Sequence, residues 1–113
     1  MPDTADVTPL VTAVDRLADR LRAMPHSALR RGAAARGRVL ATELARRAHV
    51  LESPGRPCPP LPEADDFAVG DQLAVTGHDL AEALRGAPAD QLAAALALLD
   101  AAEAEITAST RIG

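Results

Sequence analysis

The chain of 113 residues has no lysine, no tryptophan and no tyrosine, one phenylalanine (Phe67) and one cysteine (Cys58). Each scarcity excludes something. A lone aromatic provides no row of rings on which unpaired bases stack, the common platform for single-stranded nucleic acid. A lone cysteine forbids an internal disulfide, so a cytoplasmic location is the expectation and Cys58 reads as an incidental exposed thiol. Long apolar runs are missing too. The longest, residues 92–99, falls well short of the roughly 20 residues a membrane-spanning helix needs. The N-terminal MPDTADV places acids where a secretory signal carries positive charge, so neither a signal peptide nor a membrane partner is expected.

Without lysine, all 12 basic residues are arginine. Together with abundant alanine, leucine, aspartate and proline, this matches the codon bias of a GC-rich bacterial genome, a hint of origin and not of function. The length suits one domain with one core. Hydrophobic residues make up 48% of the chain, but much of that is alanine. Alanine buries little area, so at about 25 cal/mol per Å² the core yields less than its apolar share implies, a shortage that self-association would relieve. The net charge of −4 is unevenly spread. Residues 1–52 carry nine arginines against six acids, whereas residues 53–113 carry three arginines against ten. Such asymmetry pairs the two halves of a domain, pairs subunits, or faces a charged partner.

Residues 67–85 organise the pattern. At about 100° per residue, Val69, Leu73, Leu80 and Leu84 share one side of a helix, with Gly70, Ala74, Gly77 and Ala81 as a second stripe beside them. The combined face is wide enough for two neighbours. Each interior glycine costs roughly 1 kcal/mol relative to alanine, so Gly70 and Gly77 imply close approach of another backbone. That approach is either a neighbouring helix of the same chain or a seam with a subunit or partner.

Before it, a first helix is expected over residues 9–24, with Thr8 as cap, Pro9 in the first turn and Leu10, Val14, Leu17, Leu21 and Met24 as its seam. Pro25 disfavours the α conformation at Met24 and forces a tight turn. A second helix follows over 27–51, with Leu29, Ala33, Gly37, Leu40, Leu44, Ala48 and Leu51 inward and arginines around the remaining circumference. Gly32 falls on its outer face, where packing does not call for a glycine. Residues 53–66, with five prolines, form a loop whose 14 residues span up to about 40 Å at roughly 3.1 Å each. Asp65 or Asp66 caps the third helix and Gly86 ends it. A fourth helix over 88–106 turns Leu92, Ala95, Leu96, Leu99, Ala102 and Ile106 inward, with fraying from Thr107. The fold class is all-α: a four-helix bundle of two antiparallel hairpins joined by a long proline-rich crossover.

Sites for chemistry are sparse. Carboxylate-bridged metal bundles need Glu-x-x-His pairs, and no glutamate here has histidine three residues on. His26 lies in a turn and His49 near a helix end. His78 with Asp79 and Glu82 reads as an exposed ion pair, without the nucleophile or phosphate loop that acid–base catalysis needs. Gln72, Thr76 and Asp79 line one edge of the third helix, a polar seam or small pocket. Ferritin-like and haemerythrin-like bundles lack their ligands here, and the secreted helical-hairpin family with a Trp-x-Gly turn lacks its tryptophan.

These features give the expectation of a small non-enzymatic bacterial protein, without cofactor or metal, acting through protein–protein contacts as a homodimer or accessory subunit. The candidate interaction residues are Gly70, Ala74, Gly77 and Ala81 together with Arg30, Arg31, Arg38 and Arg46. The alternative is a nucleic-acid-associated regulator, because residues 16–50 carry nine arginines against Asp19 and Glu43.

Overall fold

A computed structural model describes residues 6–111, so most of the acidic N-terminal stretch lies outside the described residues. The expected architecture is present: four helices, in two helix–turn–helix units, joined by the proline-rich crossover.

Helix α1 is Thr8–Ala23. Val7, not Thr8, is its N-cap and makes no side-chain capping bond; Thr8 is the first helical residue, and its N–H donates to Asp6 Oδ1 at 3.0 Å. Met24 is extended (φ −74°, ψ 141°), as the following proline requires. Helix α2 comprises His26–Ala28, Leu29–Ala33 and Ala34–Glu52, with a kink at Gly32, whose backbone leaves helical values (φ +149°, ψ −18°). This corrects the uninterrupted helix expected over 27–51. Side chains disfavour that backbone state, which is why a glycine stands where no packing demands one. The last turn of the bundle covers it, Ser109 Cβ lying 3.4 Å from where a Gly32 Cβ would be.

The crossover has no helix from residue 57 to residue 65 and then enters a 3₁₀ turn, Asp66–Ala68, capped by Asp65 Oδ1 on the Ala68 N–H at 3.0 Å. Helix α3 is Val69–Leu84, and helix α4 is Ala89–Thr110. Gly86 does not adopt positive φ, so it ends α3 without using the freedom expected of it. Helix α4 continues past the fraying point expected at Thr107, where the Thr107 hydroxyl accepts from Arg20 Nη1 at 2.8 Å.

Packing runs mainly between the two units. Helix α3 lies closest to α2 and α1, while α4 closes on the same two helices from the other side. Leu10, Val14, Leu17, Leu21, Leu44, Val69, Leu73, Leu80, Leu84 and Ile106 are the largest fully buried side chains, all on the expected faces. The small-residue stripe of α3 is spent inside the chain. A Cβ on Gly77 would stand 2.5 Å from Val14 Cγ1, and one on Gly70 would stand 2.8 Å from the Ala18 carbonyl oxygen. Gly37 of α2 is as tight against Val69 Cγ1, at 2.6 Å. Of the two meanings of the stripe, the intramolecular one holds, and Gly70, Ala74, Gly77 and Ala81 are not a free interaction surface.

Gly77→Ala should lower stability by about 1–3 kcal/mol in chemical denaturation, because Val14 is β-branched and fully enclosed, and trimming it in Gly77→Ala/Val14→Ala should recover part of that loss. Gly70→Ala meets backbone and should gain nothing from a side-chain trim elsewhere. Additive losses in the Gly77/Val14 double mutant would show that the two do not touch. Gly32→Ala should cost about 1–3 kcal/mol through backbone strain alone, read in the same unfolding experiment.

Candidate interaction surface

The charged halves of the chain meet each other. Arg22 Nε donates to Asp71 at 2.7 Å, Arg36 lies 3.0 Å from Glu105, and Arg38 Nη2 donates to Asp66 at 2.5 Å. Each of these pairs joins an arginine of the basic half to a carboxylate of the acidic half. Hydrogen bonding to Asp71 raises Arg22 above its ordinary pKa. Asp66 also lies 3.7 Å from His26, whose ring stacks on Phe67 with centroids 4.8 Å apart, so the start of α3 is fastened to the start of α2. Two arginines of the basic helix, Arg36 and Arg38, thus pair with the acidic half, while Arg46 and Arg47 pair with Glu43 of their own helix.

Of the four arginines singled out from the sequence, Arg38 is occupied by Asp66 and the Ala64 carbonyl, and Arg46 by Glu43. Arg30 and Arg31 are exposed beside the kink at Gly32; Arg31 reaches only its own helix, donating to the Ser27 carbonyl at 3.4 Å. The four do not form one continuous basic face. His78 Nε2 lies 2.7 Å from Asp15 Oδ1 on α1, which corrects the expected local pair with Asp79 and Glu82. The edge of Gln72, Thr76 and Asp79 does not converge: Gln72 donates to the Pro62 carbonyl, Thr76 to the Leu73 carbonyl, and Asp79 is exposed. Among the described residues no cluster of His, Cys, Asp or Glu is suited to hold a metal, and no helix is long and apolar enough to cross a membrane.

What the bundle leaves open is the outer side of α2 along α4. Val39 is 65% exposed and Val50 52% exposed, values unusual for valine on an otherwise inward-packed helix. Between them on the same stripe lie Glu43 and Arg46, since positions 39, 43, 46 and 50 fall within about 60° of one another on a helical wheel. A groove of about 590 Å³ flanks the Val39 end, lined by Leu98, Ala101 and Ala102 of α4 and rimmed by Arg36 and Glu105. A second, of about 300 Å³, flanks the Val50 end beside Leu51, Ala94 and Ala95. Helix α4 is rich in alanine and leucine around its whole circumference, so the side it turns away from the core stays apolar: Ala94, Ala97 and Ala101 are exposed and Leu98 is half-buried. Leu98 lies beside the expected inner stripe of α4, and in the linear sequence Val39 and Val50 stand among charged residues. Their eleven-residue spacing, three turns of helix, was the available signal.

Glu43 is the centre of this stripe. Arg46 donates to it through Nε at 3.0 Å and Nη2 at 2.6 Å, and Arg47 donates at 2.8 Å. The Arg46 hydrogen bonds, followed by those of Arg47, hold its carboxyl below the ordinary glutamate value against partial burial, which acts the other way. A depressed folded-state pKa gives stability that is present above the unfolded pKa and is lost as pH falls through the folded value. Unfolding measured across the acid range should thus show Glu43→Gln less stable than the native chain at neutral pH, by up to about 1 kcal/mol, with the difference vanishing toward strongly acid pH. A difference that persists unchanged into acid would locate the effect in packing and not in charge.

No protein-family model, curated protein or solved structure matches the chain.

Proposed function

We propose that this is a non-enzymatic protein that acts through protein–protein contacts and assembles as a symmetric homodimer along the outer stripe of α2. The supporting observation is the order of that stripe: Val39, Glu43, Arg46, Val50. Lay a second copy antiparallel on the first and Val39 meets the partner's Val50, while Glu43 meets the partner's Arg46. Each contact occurs twice, as a two-fold interface requires. The two apolar grooves flank the two ends of the stripe, so each valine of one copy faces alanine and leucine side chains on α4 of the other. The reading also answers the shortage of apolar area left by an alanine-rich, nearly aromatic-free core. It differs from the seam expected on α3, whose glycines are already in contact with α1. A cytoplasmic location, the default for a chain with one unpaired cysteine, belongs to this reading.

Arg30 and Arg31 keep a second reading open, nucleic-acid binding, because neither has a carboxylate partner among the described residues. Affinity for duplex DNA or RNA that falls steeply with added salt and is lost in Arg30→Ala/Arg31→Ala would favour it. Absence of binding at low salt removes it.

Size-exclusion chromatography with light scattering at tens of micromolar should give twice the chain mass of 11.7 kDa. Val39→Asp/Val50→Asp should give a folded monomer. Arg46→Glu should weaken the dimer by crowding carboxylates at its centre, and Glu43→Arg/Arg46→Glu should restore it, because the swap preserves the antiparallel match. A native chain that stays monomeric, or a charge swap that fails to rescue, overturns the arrangement.

A further inference from the structure

The crossover carries a second surface, separate from the outer stripe of α2. Every residue from 56 to 62, RPCPPLP, is either a proline or precedes one. Proline fixes its own φ near −65°, and its ring bars the α conformation to the residue before it, so sterics alone direct the segment into polyproline II. The bundle then clamps it at both ends. His49 Nε2 donates to the Arg56 carbonyl at 3.1 Å, and Gln72 Nε2 donates to the Pro62 carbonyl at 2.9 Å. Leu61 packs against the core and fixes which edge faces inward.

A polyproline II helix has three residues per turn. Within the segment only Leu61 is half-buried; Pro59 and Pro62, and Pro57 and Pro60, repeat at three-residue spacing and are exposed, and Arg56 is exposed at the bend that closes the turn from Ser53. The Arg56 guanidinium has no carboxylate partner among the described residues, although most arginines of α1 and α2 do. A plain connector needs reach; it does not need two continuous exposed proline edges ending in an unpaired cation.

We infer that this strap is a ligand, a preformed polyproline II segment presented to a protein domain whose groove is lined with aromatic side chains and ends in carboxylates. Stacked aromatic rings accept proline edges, and acidic residues at one end of the groove read the arginine and set the direction of binding. The chain itself has only Phe67, so it supplies the proline side of such a contact and not the groove. Clamping at residues 56 and 62 means the strap is ordered before it binds, which removes part of the entropic cost that a free proline-rich tail incurs on docking.

The test is a titration of the full-length protein into an isotopically labelled SH3 domain that selects an arginine followed by two prolines, spaced as Arg56, Pro59 and Pro62 are here. Saturable resonance shifts confined to the aromatic groove are expected. Arg56→Ala and Pro59→Ala should each weaken binding about tenfold while leaving thermal unfolding unchanged, since both side chains are exposed. His49→Ala and Gln72→Ala should weaken it severalfold without removing any ligand side chain, by releasing the clamp. Val39→Asp/Val50→Asp should bind as the native chain does, which separates this surface from the dimer. No groove shifts up to about 1 mM, or equal binding by Arg56→Ala and Pro59→Ala, would overturn the inference.

Discussion

Val14 occupies the space in which a side chain on residue 77 would stand, and the Ala18 carbonyl does the same at residue 70. That close approach of α3 to α1 is the constraint on which the rest of the bundle depends. A core without tryptophan or tyrosine, and with its one phenylalanine on the surface, has few large side chains to bury. It gains density by bringing backbones together, so that leucine and valine from one helix fill the notches left by glycine on the next. The helical cost of each interior glycine is offset by the dispersion contacts that its missing side chain permits. Gly37 against Val69 repeats the device between α2 and α3, which is why α3 sits against two helices at once.

Close packing fixes the register between the two helix–turn–helix units, and the register brings opposite charges together. Arg22 reaches Asp71, Arg38 reaches Asp66 and Arg36 reaches Glu105 only because α3 and α4 are held at particular heights along α1 and α2. These pairs are partly exposed and each is worth little on its own. Their main effect is on what remains: three arginines of the basic half face carboxylates of the acidic half, so the charge left outward is smaller than the linear sequence suggests. Local charge density along a chain is a guide to partners only after the fold has matched its own opposites.

Leucine spacing made the helices and the buried faces legible, and the pairing of Gly70 with Gly77 at seven residues made the tight seam legible. Neither the tertiary partner of His78 nor the kink in α2 was. Asp15 is 63 residues from His78, and nothing local marks it as the acceptor. Gly32 was visible as an anomaly without a cause, because helical periodicity treats the chain as one continuous cylinder and cannot express a kink. Gly86 shows the opposite: α3 ends just before it as expected, and the chain turns there without a left-handed glycine. The outer stripe of α2 was hidden by composition, since Val39 and Val50 lie among charged residues that dominate any local average.

The same logic determines which surfaces the bundle leaves outside. A helix with glycine and alanine toward its neighbours has committed that side, so α3 is the least available element despite carrying the most unusual sequence. Helix α2 differs: its inner side faces α3 and α4, its flank is crossed by the strap, and the stripe from Val39 to Val50 stays exposed beside the grooves along α4, as do Arg30 and Arg31. The strap is free for the complementary reason, since its prolines have no N–H to donate and bind to the bundle through Leu61 and two carbonyls alone. One surface has exposed valines at its ends and paired charges at its centre; the other is rich in proline and ends in an exposed arginine. A single tight seam, by using up the small residues, decides which residues are left outside it.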